Sequence, residues 1–97
     1  MILSYADKDT AEFFHTGKCP KGCGWRSVDR VAMRKLRMVN SATSTTDLKA
    51  PPANQLEKLE DDREGQWSIR INRQWRVCFR WDDGAPGPSD VEIADVH

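Results

Sequence analysis

The sequence has no long hydrophobic segment. It is 97 residues long, 38% apolar and 31% charged, and none of its apolar runs approaches the roughly 18 residues that a membrane-spanning helix needs. The apolar start Met1–Leu3 soon meets Asp7 and Lys8, so the apolar core of an export signal is missing as well. We therefore expect one globular domain over residues 1–97, with a cytoplasmic location and no membrane contact.

Cysteine is scarce, and its number is odd. Three cysteines cannot all pair within the chain, and without an export signal we expect reduced thiols. Cys19 and Cys23 flank a Pro-Lys-Gly loop, and a zinc site built on them would need two further ligands. His15 is one candidate, whereas Cys78 lies far away in the sequence. An isolated cysteine pair fits a plain loop better than a metal site, so we expect neither a metal nor another cofactor.

The chain also has no net charge, since 15 basic residues balance 15 acidic ones. Neutrality argues weakly against nucleic-acid binding. The charges are unevenly distributed, however, because the stretch from Arg63 to Arg80 holds five arginines and the single acid Glu64. Salt screens charges more than about 8–10 Å away, so this local cluster matters more to a bound phosphate than the net charge does.

Hydrophobic spacing predicts two helices in the N-terminal half. The first extends over Asp7–His15, capped by Asp7 or Asp9 and ended by Gly17. The second extends over Ser27–Asn40 and has one apolar face that we expect in the core. This core face consists of Trp25, Val28, Ala32, Leu36 and Val39. A flank roughly 140° away carries an arginine stripe. The stripe consists of Arg26, Arg30, Arg34 and Arg37.

The C-terminal half changes to the alternation that is typical of a β-sheet. Trp67–Ile71 and Trp75–Trp81 alternate apolar and polar residues on either side of a short polar turn, which predicts a hairpin. Asp90–Val96 predicts a third strand. We therefore expect an α+β domain in which two helices pack on one face of a small, twisted antiparallel sheet.

The opposite face of this sheet is expected to be rich in arginine. Strand pleating places six residues there, namely Arg70, Arg76, Cys78, Arg80, Glu92 and Ala94. Either Glu92 and nearby acids neutralise an ordinary solvated surface, or the guanidinium groups hold the phosphates of a ligand. Alternation alone slightly favours the solvated surface.

Six segments of the chain match a known family. They are Ile2–Lys8, Arg34–Asn40, Gln55–Leu59, Asp62–Asn72, Gln74–Trp81 and Val91–His97. Together they resemble HigB toxins, which belong to the RelE-like (RelE/ParE) family of bacterial type II toxin–antitoxin systems. The resemblance extends over nearly the whole chain, and the Lys18–Gly24 loop departs from it.

The resemblance implies a RelE-like fold and a ribosome-dependent mRNA endoribonuclease that inhibits translation. Its cleavage needs no metal, because the RNA 2′-hydroxyl attacks the adjacent phosphate while a base takes its proton and cations stabilise the pentavalent phosphate. The implied partners are the ribosome, its mRNA and a helix-turn-helix, HigA-like antitoxin. Operator DNA would be bound only through the antitoxin complex.

The resemblance also implies roles for single residues. Arg76 matches the arginine that holds the scissile phosphate, and its place on the polar face predicts little effect on folding. Arg70 is assigned to charge stabilisation, because arginine is a poor general acid. Asp95 and His97 match a C-terminal acid and histidine, and His97 is the best titratable candidate. Glu57 is either a catalytic base or a solvated acid.

Further arginines are expected to contact RNA. They are Arg63, Arg73, Arg80, Arg30 and Arg34. Three departures from the family put efficient catalysis in doubt. Glu57 stands where many members have a histidine, Glu60 replaces a lysine, and Val96 replaces a tyrosine that could stack on a base. The alternative function is therefore a catalytically weakened protein that acts mainly as an antitoxin-binding module in a DNA-binding autorepressor complex.

Overall fold

Two helices form the N-terminal half of the computed structural model, which describes residues 1–95. Helix α1 extends over Lys8–Thr16. Its cap is Asp7, whose Oδ1 accepts a hydrogen bond from the Thr10 N–H at 2.9 Å. Gly17 ends it at φ 77°, a left-handed conformation that favours glycine. The predicted cap and stop are thus confirmed.

Helix α2 begins two residues later than predicted and extends over Asp29–Ser41. A 3-10 turn at Arg26–Val28 precedes it. The predicted core face is confirmed, because four of its five residues are buried and Val28 packs against them. No helix within residues 1–95 has both the length and the apolarity to cross a membrane.

The loop between the helices contains a disulfide. Cys19 and Cys23 are joined, so the expectation of reduced thiols is wrong for this pair, whereas Cys78 is free. The physical reason is a turn in which the carbonyl of Pro20 accepts a hydrogen bond from the Cys23 N–H at 3.0 Å. This turn brings the two Cα atoms to 6.3 Å, a separation that a disulfide spans.

The C-terminal half forms an antiparallel sheet in which the strands follow in chain order. They are β1 (Glu57–Lys58), β2 (Gln66–Arg70), β3 (Trp75–Arg80) and β4 (Ser89–Asp95). The predicted hairpin and third strand are confirmed. β1 was not predicted, because two residues are too few to display an alternation. Short 3-10 turns lie at Thr45–Lys49, Pro52–Asn54 and Asp61–Arg63.

The core lies between the helices and one face of the sheet. Ile69, Val77 and Ile93 are paired across the three longer strands and are all buried, where they join Leu36 and the rest of the core cluster. This arrangement confirms the α+β architecture. Along the outer side of β4, Tyr5 forms a parallel bridge with Val91, so the start of the chain runs beside the sheet.

Candidate functional site

The face of the sheet away from the helices is covered rather than solvated. The strand register places the predicted residues there, but Ser68, Cys78 and Ala94 are buried. Arg63, from the 3-10 turn before β2, reaches over this face. Its Nη1 donates to Gln66 Oε1 at 3.0 Å, and its Nη2 lies 3.6 Å from Glu92 Oε1. A solvated arginine surface is therefore wrong for this part of the sheet.

Arg76 is the best anchored residue on this covered face. Its Nε donates to Ser68 Oγ at 2.7 Å, and its Nη2 donates to the carbonyl of Gln55 at 2.5 Å. The residue is only 9% exposed. We therefore expect Arg76 to contribute more to folding than its place on the polar face predicts, because its loss leaves two polar partners without a donor.

One nitrogen of Arg76 remains available to a ligand. Nη1 makes no hydrogen bond within residues 1–95. Every buried side-chain nitrogen or oxygen in this range has a hydrogen-bond partner. Because Nη1 has none, it is not buried and reaches solvent. Beside it, Glu57 Oε2 lies 3.9 Å from Nη2, and the Glu57 side chain is 56% exposed. An anchored guanidinium thus stands next to an accessible carboxylate.

Arg76 opens into a cleft of about 500 Å³ that we call the acidic cleft. It is lined by Glu57, Leu59, Glu60, Asp61, Asp62, Arg63, Arg76 and Asp95. Asp95 Oδ2 also accepts a hydrogen bond from Gln74 Nε2 at 2.9 Å. Five carboxylates face two guanidinium groups here. Within residues 1–95, no three His, Cys, Asp or Glu side chains are arranged to hold a metal ion.

The acidic cleft contains four of the residues predicted for the site, namely Glu57, Arg63, Arg76 and Asp95. The others lie elsewhere. Arg73 is exposed in the turn between β2 and β3, and Arg80 pairs with Asp90, with Nε and Oδ2 3.6 Å apart. His97 and Val96 lie outside the described residues.

Arg70 lines a second cavity, which we call the basic pocket. It has a volume of about 380 Å³ and is lined by Val31, Arg34, Lys35, Ala53, Gln55, Arg70, Ile71 and Asn72. Three cations line it and no carboxylate does. Arg70 and Arg76 are paired across β2 and β3, yet they line two different cavities of opposite charge.

Lys35 is a functional candidate that was not predicted, and it is only 5% exposed. Its Nζ donates to Asn54 Oδ1 at 2.6 Å. Burial, together with the nearby charge of Arg34, lowers the pKa of Lys35. A signal was present, because at 100° per residue Lys35 falls about 20° from Val28, on the apolar face of α2. A lysine on a core face needs a polar partner.

The arginine stripe on α2 is shorter than expected. Arg30, Arg34 and Arg37 line a groove of about 470 Å³ beside α1. Arg26 lies in the 3-10 turn instead, with its Nη2 within 3.5 Å of the carbonyls of Cys19 and Pro20. The stripe therefore has three members, because the start of α2 is displaced.

Cys78 lies beneath the covered face and does not have the character of a nucleophile. It is fully buried. Burial raises its pKa to about 11, and the charges of Arg63 and Arg76 only partly oppose this. A thiol of this kind stays protonated and inert near neutral pH.

Comparison with known proteins identifies similar chains. Residues 3–91 match the model of a family described as the RelE-like toxin of the type II toxin–antitoxin system HigB. Toxin HigB-1 of Vibrio cholerae serotype O1 is 36% identical over 84 residues, which cover 87% of each chain. Endoribonuclease HigB of Proteus vulgaris is 33% identical over 84 residues, covering 87% of this chain and 88% of that protein.

Two solved structures share the fold. A YoeB/ParE toxin from Agrobacterium tumefaciens superposes with a TM-score of 0.57 at 15% identity, covering 99% of this chain and 98% of that one. A chain of the YoeB–YefM complex from Staphylococcus aureus gives a TM-score of 0.57 at 17% identity, covering 100% and 95%. At these identities the likeness establishes the RelE-like fold.

Proposed function

The chain belongs to the HigB family of RelE-like toxins of type II toxin–antitoxin systems, and on this premise we propose that it is a ribosome-dependent, metal-independent mRNA endoribonuclease that inhibits translation. One observation carries the proposal. Arg76, anchored by two hydrogen bonds that leave Nη1 without a partner within residues 1–95, lines a cleft together with Glu57 and Asp95. The Proteus vulgaris relative, named an endoribonuclease, supports the same activity.

Arg76 holds the scissile phosphate in this proposal. Its bonds to Ser68 and to the carbonyl of Gln55 fix the guanidinium before RNA arrives. A donor that is already oriented needs no reorganisation as charge grows on the phosphate, which is how such donors lower a barrier. Arg70 adds positive charge next to it in the sheet.

Glu57 is the proposed general base. Its carboxylate lies 3.9 Å from Arg76 Nη2 and is open to solvent, so a phosphate bound at Arg76 lies close to it. Glu57 takes the proton of the 2′-hydroxyl as that oxygen attacks the phosphorus. By resemblance, His97 protonates the departing 5′-oxygen, and Asp95, two residues earlier, lines the cleft.

The proposed partners are the ribosome with its mRNA and a helix-turn-helix, HigA-like antitoxin. RNA contacts are assigned to the arginines outside the reacting groups, namely Arg63, Arg73, Arg80, Arg30 and Arg34. Operator DNA is bound only through the antitoxin complex. A structural neighbour taken from a YoeB–YefM complex supports a protein partner.

The second candidate function is an antitoxin-binding module with weak catalysis. A specific observation favours it, since the acidic cleft holds three more carboxylates than guanidinium groups and Glu60 is among them. Such a cleft repels a polyanion. In this case the protein acts chiefly within an autorepressor complex on operator DNA.

Cleavage on programmed ribosomes separates the two candidates. We expect purified protein to cut mRNA there with EDTA present and to leave free RNA intact, because substrate positioning supplies much of the acceleration. Glu57→Gln should slow cleavage about 100-fold. Glu12→Gln, an exposed change on α1, is the matched control. Equal cleavage by both variants removes Glu57 as the base, and no cleavage by the wild type favours the binding module.

A further inference from the structure

The basic pocket is unusual because its positive charge is not neutralised. Arg34, Lys35 and Arg70 line it together with uncharged residues only. Within residues 1–95 the ion pairs are Arg63–Glu92, Arg76–Glu57 and Arg80–Asp90, and none includes a cation of this pocket. Three like charges around one cavity repel each other, and a bound anion relieves that repulsion.

Lys35 is held in place rather than free to leave. Its Nζ is bound by Asn54 Oδ1 at 2.6 Å, and Asn54 is itself fully buried. The Asn54 Nδ2 donates to the carbonyls of Leu48 at 3.2 Å and Ala50 at 3.3 Å. An ammonium group has three donors, and Asn54 takes one of them. The fold therefore fixes a lysine with unused donors at the edge of the pocket.

The basic pocket adjoins the proposed reaction site. Gln55 lines the pocket, and its carbonyl accepts the hydrogen bond from Arg76 Nη2. Arg70 is the cross-strand partner of Arg76. An RNA strand with one phosphate at Arg76 continues to both sides, and the acidic cleft repels it on one side. Across Gln55, the three cations of the basic pocket attract it.

We propose that Arg34, Lys35 and Arg70 bind a backbone phosphate of the RNA, next to the phosphate at Arg76, with Lys35 as a positioning residue for the substrate strand. The existence of an anion site follows from the pocket, whereas the assignment to RNA rests on the proposed function. The planar guanidinium groups of Arg34 and Arg70 suit phosphate oxygens, and the fixed ammonium adds a point charge. An anion in the pocket also raises the lowered pKa of Lys35 towards its ordinary value.

The anion site is tested with inorganic phosphate and the purified protein. We expect saturable changes in the amide resonances of residues 34, 35 and 70 on titration. Lys35→Met keeps the length of the side chain and removes the charge, so it should weaken phosphate binding about tenfold. Lys49→Met, which removes an exposed lysine outside the pocket, should bind phosphate like the wild type.

A second variant protects this test against misfolding. Lys35→Met leaves Asn54 Oδ1 without its donor, whereas Arg34→Gln changes an exposed side chain. Arg34→Gln should also weaken phosphate binding, with an unchanged thermal midpoint. Resonance changes that do not saturate, or that are equal in the wild type and a folded Lys35→Met or Arg34→Gln, would overturn the anion site.

The RNA assignment is tested with an oligonucleotide that carries a 2′-deoxy group at the cleavage position, bound to protein on programmed ribosomes. Arg34→Gln should reduce the dependence of log affinity on log salt by about 0.7, the value for one single-strand phosphate contact. An unchanged slope, with phosphate binding still lost, overturns the assignment to RNA. If the wild type binds phosphate and oligonucleotide in this way but does not cut unmodified mRNA on the ribosome, the proposed nuclease activity fails and the anion site stands.

Discussion

The acidic cleft and the basic pocket lie on either side of the contact between Arg76 and Gln55, and their lining residues carry net charges of opposite sign. The cleft has a volume of about 500 Å³ and contains five carboxylates with two arginines. The pocket has a volume of about 380 Å³ and contains three cations with no carboxylate. The zero net charge of the chain therefore conceals two local clusters of opposite charge, each of which acts at contact distance.

The two cavities also differ in what their cations do for the fold. Arg76 and Arg63, in the cleft, hold neighbouring segments through hydrogen bonds and ion pairs. Arg34 and Arg70, in the pocket, make no such contact within residues 1–95. A cation with structural partners is costly to remove, whereas a cation without them can be changed at little cost to the fold. Lys35 belongs to the first kind, because its Nζ donates to Asn54.

Arg76→Ala gives the largest expected effect and tests whether Arg76 both stabilises the fold and takes part in cleavage. We expect cleavage to fall at least 100-fold and the free energy of unfolding to fall by about 3 kcal/mol, because Ser68 Oγ and the Gln55 carbonyl lose their donor. Urea unfolding and cleavage on programmed ribosomes, below the melting temperature, measure both quantities.

Arg80→Ala is the control, because this arginine is 40% exposed and pairs with an exposed acid. It should change stability by less than about 1 kcal/mol. A variant Arg76→Ala that is as stable and as active as Arg80→Ala would contradict both roles of Arg76.

The pH dependence of stability tests whether water is excluded from Cys78 beneath the covered face. Burial raises the pKa of Cys78 from 9.0 to about 11. Below pH 9 the thiol is protonated in both states, whereas above pH 9 the unfolded chain loses this proton first. The free energy of unfolding should therefore fall by about 2–3 kcal/mol between pH 9 and 11. The difference between wild type and Cys78→Ala isolates this contribution, and parallel curves would show that water reaches the thiol.

Glu60→Lys tests whether the negative charge of the acidic cleft limits activity. The change turns a repulsive charge into an attractive one near the bound RNA. We expect kcat/KM for mRNA on the ribosome to rise about tenfold, which corresponds to about 1.4 kcal/mol. Glu64→Lys makes the same charge change outside the cleft lining. An equal rise in both variants would mean that net charge, and not the cleft, sets the rate.

Arg30 and Arg26 give the smallest expected effect and test the shortened stripe. Arg30 is exposed in the groove beside α1, whereas Arg26 is turned towards the carbonyls of Cys19 and Pro20. Arg30→Gln should reduce the salt dependence of ribosome binding by about 0.7, and Arg26→Gln should leave it unchanged. The reverse result would restore Arg26 to the RNA-binding surface.

The elements that could be predicted depend on local rules. The cap at Asp7, the stop at Gly17 and the hairpin follow from residues close together in sequence, and the structure confirms them. β1 is too short to show a period. The cover over the outer face depends on Arg63 reaching Glu92, a contact between segments 29 residues apart that no alternation encodes.

The site was predictable in composition but not in arrangement. Resemblance singled out Glu57, Arg76 and Asp95, and all three line one cleft, although their catalytic roles remain predictions. Strand pleating placed Arg70 and Arg76 on one face without indicating that they line different cavities. Lys35 was not predicted as part of the site, although its position on the apolar face of α2 marks it as a buried charge.

The first residues of the chain also have a protective effect on the sheet. The Ala6 N–H donates to the Val91 carbonyl at 2.9 Å, and the Val91 N–H donates to the Ser4 carbonyl at 3.1 Å. β4 therefore does not present an open row of backbone donors and acceptors to a second molecule at this point. At the other side of the sheet, β1 has only two residues, and both are charged. Open sheet edges template aggregation, and short charged strands suppress it. Both features therefore disfavour edge-to-edge association between copies of this chain.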